Sequence, residues 1–448
     1  MITRSVHHRG LPGHICSAAW FITAVMGVPF AGGGQAASQP SPGDIAPAEV
    51  RQAIDRAVDG LRTAMEAKDH KEIERATEEL RAALGPWAGV PERRPEFVSP
   101  PDPDTSLTRE RLERLWRAAW AKAQKGYRSR GRWGLPPDHP QAEHTMLRET
   151  AYVVSGGLAA LRHRVADDAD LRRKVDEGLA YLLSVQQPDG LFPFPDVRSW
   201  HRHFRGPLES LYQQRPEAFQ NGWIIDDFGD GGLQFDNGVC AAILLEAWEQ
   251  LGEERYREAA RRACRWAAGR PVVPNWNYNA FTVWAMARYS MLAGSSEFVE
   301  SAIEKARLGV LPGQLPDGRW VDQHNARTVY HAIILRGLAC LYGVLPTDSP
   351  HRVLLGDAVR RTERVLVDEL HAHGATDADH SLTALSAVQA VMGPSPRRTT
   401  AMRIIVNAMY KELTDENQSA LDDAGMFAAG EALELFMRRS SEGARLPK

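Results

Sequence analysis

The sequence predicts an all-α fold, an (α/α)6 toroid of six helical hairpins with an N-terminal helical hairpin extension. Three observations lead there. Helical periodicity runs through most of the chain, and no sustained period-2 run of β-branched residues interrupts it. Strongly charged segments alternate with segments that are apolar nearly all round. The helical segments after residue 107 number twelve, enough for six pairs.

The elements follow in order. Arg4, His7, His8 and Arg9 precede a mostly apolar run from Ile15 to Ala31, then small residues from Gly32 to Ser38. That is a charged region, a hydrophobic region and a cleavage zone, so residues 1–38 read as a signal peptide and the protein as secreted or periplasmic. The run holds Thr23, Gly27 and Pro29 and is short for a spanning helix; no later segment is apolar for longer. Residues 39–106 form the second unit. Ala46 to Leu84 reads as a charged amphipathic hairpin broken near Lys68-Asp69-His70, and Pro86 to Thr108 as a proline-rich linker.

Residues 107–440 form the third unit, the toroid. Its segments run approximately over 108–125, 144–164, 168–186, 236–251, 253–269, 279–293, 296–310, 325–343, 351–372, 380–393, 399–413 and 421–438. The segment from Glu253 to Gly269 carries one apolar stripe, through Tyr256, Ala259, Ala260, Ala263 and Ala267. One face is buried and the other is solvated. By contrast, Asn279 to Ala293 has one charged residue, Arg288. Asn325 to Gly343 has two, Arg327 and Arg336, and Ser381 to Met392 has none. A helix apolar nearly all round is buried on all sides. Amphipathic outer helices therefore alternate with inner ones that start near 144, 236, 279, 325, 380 and 422. An open solenoid is the competing arrangement, but it would leave one flank of each inner helix exposed.

An internal repeat supports the pairing. Gln186-Gln187-Pro188-Asp189-Gly190-Leu191-Phe192 matches Gln314-Leu315-Pro316-Asp317-Gly318-Arg319-Trp320. Pro-Asp-Gly is turn chemistry, and the aromatic pins the turn to the barrel.

Composition narrows the partners. The chain has 448 residues, 43% hydrophobic and 25% charged, with a formal net charge of −3. No basic field argues for nucleic acid. Of four cysteines, Cys16 leaves with the signal; Cys240, Cys264 and Cys340 sit in helical patterns and read as buried thiols rather than a disulfide framework.

The alternation, the Pro-Asp-Gly-aromatic turns and the stretch Glu253-Glu254-Arg255-Tyr256-Arg257-Glu258-Ala259-Ala260 resemble the six-hairpin toroid superfamily. That group includes glycoside hydrolases, unsaturated-uronate hydrolases, sugar epimerases and toroid polysaccharide lyases. The resemblance covers roughly Leu107 to Met437 and implies a carbohydrate-active ring. Terpene-cyclase toroids share similar turns, but their Asp-x-Asp-Asp motif is matched only by Asp377-Ala378-Asp379-His380.

Parallel inner helices bring their N-termini to one rim, where unpaired N–H groups and the helix dipole favour anions. Polar residues cluster there: Glu143 and His144; Asp236 and Asn237; Asn275, Asn277 and Asn279; Asp322, His324, Asn325 and Arg327; Asp377, Asp379 and His380; Asp422 and Asp423. Asp and Asn are preferred N-caps, which accounts for some of these but not for the histidines and arginine. Trp276 and Tyr278 are candidate stacking platforms for sugar rings; Phe281 and Trp284 read as core.

The densest constellation runs from Asp322 to His331. With a helix start near Asn325, Arg327, Tyr330 and His331 would share adjoining faces of its first two turns. Arg327 would neutralise a uronate carboxylate, and Tyr330, His331 or His324 would move the proton, a lyase-type β-elimination. The set resembles that of toroid polysaccharide lyases. Asn277, Asn279 and Asn325 would bind the saccharide. An inverting hydrolase would instead use Asp236 with Asp322 or Asp379. A non-catalytic glycan- or protein-binding ring is the third reading.

The longest loop runs from Gln187 to Phe235, and its residues 196–235 are expected to cover the same rim, with Trp200, His203, Trp223 and Asp230 bordering the cavity. Asp226, Asp227 and Asp230 could hold Ca²⁺, though their spacing departs from the EF-hand pattern. No other cofactor is expected; His201-x-His203 and His371-x-His373 are too sparse for zinc. The expected partner is an acidic oligo- or polysaccharide.

Overall fold

A computed structural model describes residues 48–91, 106–134, 144–166, 169–199, 202–226, 231–375, 378–414 and 424–442. The signal-peptide expectation therefore lies outside the described residues. Fifteen α-helices and three two-residue strands are present among them. In chain order they are α1 Ala48–Glu66, α2 His70–Leu84, α3 Arg109–Ala123, α4 Leu147–His163, α5 Ala169–Val185, β1 Phe194–Pro195, α6 Arg202–Gln214, β2 Phe219–Gln220, β3 Trp223–Ile224, α7 Gly232–Leu251, α8 Glu254–Ala268, α9 Trp276–Ala293, α10 Val299–Gly309, α11 Thr328–Val344, α12 Pro350–His373, α13 Ala378–Met392, α14 Pro396–Thr414 and α15 Ala424–Glu442.

The charge alternation sorts these into two rings. α4, α7, α9, α11, α13 and α15 each pack against the next, and α15 packs back onto α4, so the inner ring is closed. α3, α5, α8, α10, α12 and α14 lie outside, packed respectively on α15, α4, α7, α9, α11 and α13. The fold is the predicted (α/α)6 toroid, and the open solenoid is excluded by the α15–α4 contact. Glycine makes that closure possible. A Cβ on Gly156 of α4 would stand 2.3 Å from the Met426 carbonyl oxygen of α15, and one on Gly430 would stand 2.9 Å from the Gly156 Cα. The two backbones approach as only glycine allows.

The repeated turns act as clamps. Gly190 and Gly318 adopt φ 101° and 106°, with Arg262 and Arg361 carbonyl oxygens 2.2 Å and 2.5 Å from where a Cβ would lie. Gln186 Nε2 donates to the Ala259 carbonyl (2.8 Å), and Gln314 Nε2 to that of Ala358 (3.1 Å). Phe192 and Trp320 are fully buried. Each turn thus ties an outer helix to the next outer helix.

Four inner-helix starts shift by three or four residues from expectation, α7 and α9 earlier and α4 and α11 later, and two of the shifts have a visible cause. α7 begins earlier, at Gly232, because Gly231 at φ 82° turns the chain into it. α11 begins later, at Thr328, because Asp322 caps the Asn325 N–H (2.9 Å) and the segment closes its own turn through Arg327 N–H to the His324 carbonyl (3.2 Å). The long loop contains a helix that was not expected, α6, and an antiparallel sheet of order β1-β3-β2. It carries its own apolar cluster, in which Leu191, Phe194, Val197, Leu208 and Ile224 join Met146 and Trp266 of the ring.

α1 and α2 pack on each other, and α2 rests on the turn Leu311–Gly313. Gly89 N–H donates to the Val321 carbonyl (3.0 Å). Cys240 and Cys264 are buried, Cys340 is half-buried, and all three are free thiols. Among the described residues no helix is long and apolar enough to cross a membrane.

Candidate functional site

An outer helix precedes every inner one along the chain, so the inner helices run parallel and their starts meet at one rim. The predicted site residues separate there into three groups.

The first group belongs to the wall. Asn279 donates to the carbonyls of Val273 (2.7 Å) and Gly309 (2.6 Å) and accepts from Val273 N–H (3.1 Å). Asn237 accepts from Phe192 N–H (3.0 Å) and donates to the Ala263 carbonyl (2.9 Å), which locks the first Pro-Asp-Gly turn to α7 and α8. Trp276 is fully buried beneath Gly313, and Tyr278, also buried, has its ring centroid 6.4 Å from that of Phe235, the planes 27° apart. His331 turns outward, its Nε2 2.8 Å from the Thr362 carbonyl of α12. Burial first, and the nearby Arg319 second, push its pKa down to about 3.

The second group is a network across the α9 and α11 starts. Asn277 Nδ2 donates to Asn275 Oδ1 (2.7 Å) and Asn325 Oδ1 (2.8 Å), and Asn325 Nδ2 donates to Asp322 Oδ1 (3.0 Å). Burial raises the Asp322 carboxyl, partly offset by the Asn325 hydrogen bonds. Just past it, the His324 ring stacks on Tyr330 at 4.0 Å, and the Arg327 guanidinium lies 5.2 Å from the Tyr330 centroid. Burial, then Arg327, lowers His324 to about 3, so its imidazole is neutral.

The third group occupies the ring axis, and much of it was not anticipated. Arg148 of α4 forms a two-pronged ion pair with Asp236 of α7, Nε to Oδ1 at 2.9 Å and Nη2 to Oδ2 at 3.0 Å. Asp236 is fully buried and Arg148 nearly so. The guanidinium also lies 3.9 Å from the Phe235 ring. One turn below Arg148 stands Tyr152, whose phenol is held protonated by burial. Its ring meets His380 edge-on at 5.9 Å and stacks on Phe427 at 5.0 Å. Asp379, at the start of α13, has its carboxyl raised by burial, opposed by hydrogen bonds from its own N–H and that of His380. His380 is kept neutral by burial, then by Arg336 and Arg148. Below them Arg336 lies 3.7 Å from the Trp284 ring.

Sequence reasoning named Asp236, Asp379 and His380 but missed Arg148, Tyr152 and the placement of Arg336. A guanidinium inside an otherwise apolar helix was the available signal for Arg336.

The loop meets the rim at Trp223, which is buried and stacks on His144 at 4.2 Å; His144 Nε2 lies 3.1 Å from the Asn221 carbonyl. His203 falls in α6. Trp200, His201, Asp227, Asp230, Glu143, Asp377, Asp422 and Asp423 lie outside the described residues. Asp226 pairs with Arg215. Among the described residues no three His, Cys, Asp or Glu side chains are grouped to hold a metal ion.

Several solved structures are similar to this chain at low identity. A cellobiose 2-epimerase from Spirochaeta thermophila superposes with a TM-score of 0.48 at 11% identity, over 76% of this chain and 100% of its own. An unsaturated glucuronyl hydrolase from Streptococcus agalactiae gives 0.47 at 9%, over 76% and 96%. An unsaturated glucuronyl hydrolase from a Bacillus species gives 0.36 at 15%, over 87% and 97%. No family model and no curated protein matches the chain.

Proposed function

We propose that this chain is an exported carbohydrate-active enzyme that hydrolyses an acidic oligo- or polysaccharide at the ring axis, with Asp379 as the proton donor. The observation that carries the reading is the contrast between the candidate carboxyls. Asp236 is engaged on both oxygens by Arg148, and Asp322 by Asn325. Asp379 takes hydrogen bonds from its own backbone N–H and that of His380, its Oδ2 lies 3.8 Å from His380 Nε2, and burial raises its carboxyl above the ordinary range. Carboxyls with separated environments are the usual basis of acid and base roles. A protonated carboxyl beside a glycosidic oxygen can release the leaving group. Asp236 then serves as the counter-charge that aims Arg148. An inverting reaction needs a second carboxylate roughly 6.5–9.5 Å away to activate water, and Asp322 is the remaining candidate.

A second reading is favoured by one specific feature. Arg327, Tyr330 and His324 form a compact stack, and a neutral imidazole beside a phenol and a guanidinium suits proton abstraction next to a uronate carboxylate. The products separate the two. Alginate, pectate and glycosaminoglycan chains incubated with purified protein should release saturated reducing sugars. Asp379→Asn should reduce the rate by roughly 10²–10⁴-fold with the helical circular dichroism unchanged. An ultraviolet-absorbing unsaturated product that disappears in Tyr330→Phe would establish elimination instead. Chains bound but left uncut would make the ring a binding scaffold. Export is checked separately: the secreted form should begin near residue 39, read by N-terminal sequencing.

A further inference from the structure

Arg336 lies in the middle of α11, eight residues past Thr328 and so about 12 Å along the helix from its start. The ring neighbours of α11 are α9 and α13. Yet the Arg336 guanidinium lies 5.5 Å from the Phe427 ring of α15, and its charge acts on Tyr152 of α4. A side chain that meets helices two and three places around the ring is aimed at the axis.

Arg336 is 2% exposed. One face of its guanidinium stacks on Trp284 at 3.7 Å, and Nη1 donates to Thr383 Oγ1 at 3.3 Å. Its Nε and Nη2 have no hydrogen-bond partner, and the carboxylates of Glu431 and Asp379 act on it only as a minor counterweight to burial, which lowers its pKa. A buried guanidinium left in this state is costly. Nε and Nη2 form the edge that grips a carboxylate by two parallel hydrogen bonds. Arg148 presents that same edge to Asp236. Two more buried polar atoms beside it, Tyr152 Oη and His380 Nδ1, are also without partners.

The geometry points to Arg336 as the seat of a substrate carboxylate at the floor of the ring, with Tyr152 and His380 beside it and Trp284 as the stacking platform. The inference rests on the saccharide reading and gives it a direction. Thr383, which touches Arg336, lies four residues below Asp379 on α13, about 6 Å along the axis. That separation is close to one sugar ring. A uronate whose carboxylate rests on Arg336 therefore holds its glycosidic oxygen near Asp379.

The test is binding, measured by calorimetry on the full chain with glucuronate and glucose as probes. Asp379→Asn serves as the reference protein, so that turnover plays no part. The reference should bind glucuronate at least tenfold more tightly than glucose. Arg336→Met, built in the same background, should lose that preference while its thermal midpoint holds or rises, because a buried cation is removed. Arg336→Lys keeps a charge but not the two-pronged edge, and should weaken glucuronate binding about tenfold without altering glucose. No preference for glucuronate in the reference protein overturns the proposal. So does a preference that survives in Arg336→Met, or, if that variant fails to fold, one unchanged in Arg336→Lys. Failure of hydrolysis with the preference intact sinks the Asp379 chemistry and leaves the carboxylate seat standing.

Discussion

The Arg148–Asp236 pair shows what a single contact contributes at the axis. Two charges taken out of water gain little net stability, but either one left alone is expensive. Asp236→Ala should therefore destabilise the fold by roughly 3–5 kcal/mol, whereas a combined Arg148→Met, Asp236→Leu replacement should recover most of that. Urea denaturation of the three proteins checks it; a small loss in Asp236→Ala alone would show that water already reaches the pair. The sequence made half of this pair legible. Asp236 was identifiable as an inner-helix start, but its partner lies 88 residues away, on a helix whose start is just as polar. Which of two facing side chains meets the other depends on helix rotation within the ring, and no local pattern records that. His331 illustrates the same limit: it shares a turn with Tyr330, yet bonds outward to α12.

Elements were more legible where local turn chemistry decided them. The two Pro-Asp-Gly turns were visible as a repeat, and their matched geometries follow from it, down to the N–H of Gly190 and of Gly318 donating to the carbonyls of Gln187 and Leu315 at 2.9 Å. Gly318→Ala should cost at least roughly 1–3 kcal/mol, since it forces a left-handed residue and drives a Cβ to within 2.5 Å of the Arg361 carbonyl. Gly252→Ala, also at positive φ but with open space around it, should cost less. Paired thermal melts compare them; equal losses would mean that the backbone conformation alone, and not the clamp on α12, sets the cost. α6 escaped notice for the opposite reason. It contains Gly206 and Pro207, residues that signal a break, and its formation is decided by the apolar cluster it joins.

At the scale of the whole molecule, closing six helices around an axis buries ionisable groups, and the fold's pH response follows. His331 is fully buried, neutral, and held near a pKa of about 3. In the unfolded chain it titrates near about 6.5. Between those values the unfolded state binds a proton that the folded state does not, so stability rises with pH across the window. Glu246 works the other way. Burial, partly offset by Arg288 and by the Ser155 hydroxyl, raises its carboxyl to about 7. From about 4.5 to about 7 the folded state holds the extra proton, and stability falls as pH rises. Each slope is at most about 1.4 kcal/mol per pH unit. Unfolding free energies of wild type, His331→Gln and Glu246→Gln, measured by denaturant between about pH 4 and pH 7, separate the two. Relative to wild type, His331→Gln should lose its disadvantage as the solution is acidified, and Glu246→Gln should lose its disadvantage as the solution is made alkaline. Parallel pH profiles for all three would mean that neither group is sealed from water, and that the ring is more open than its packing indicates.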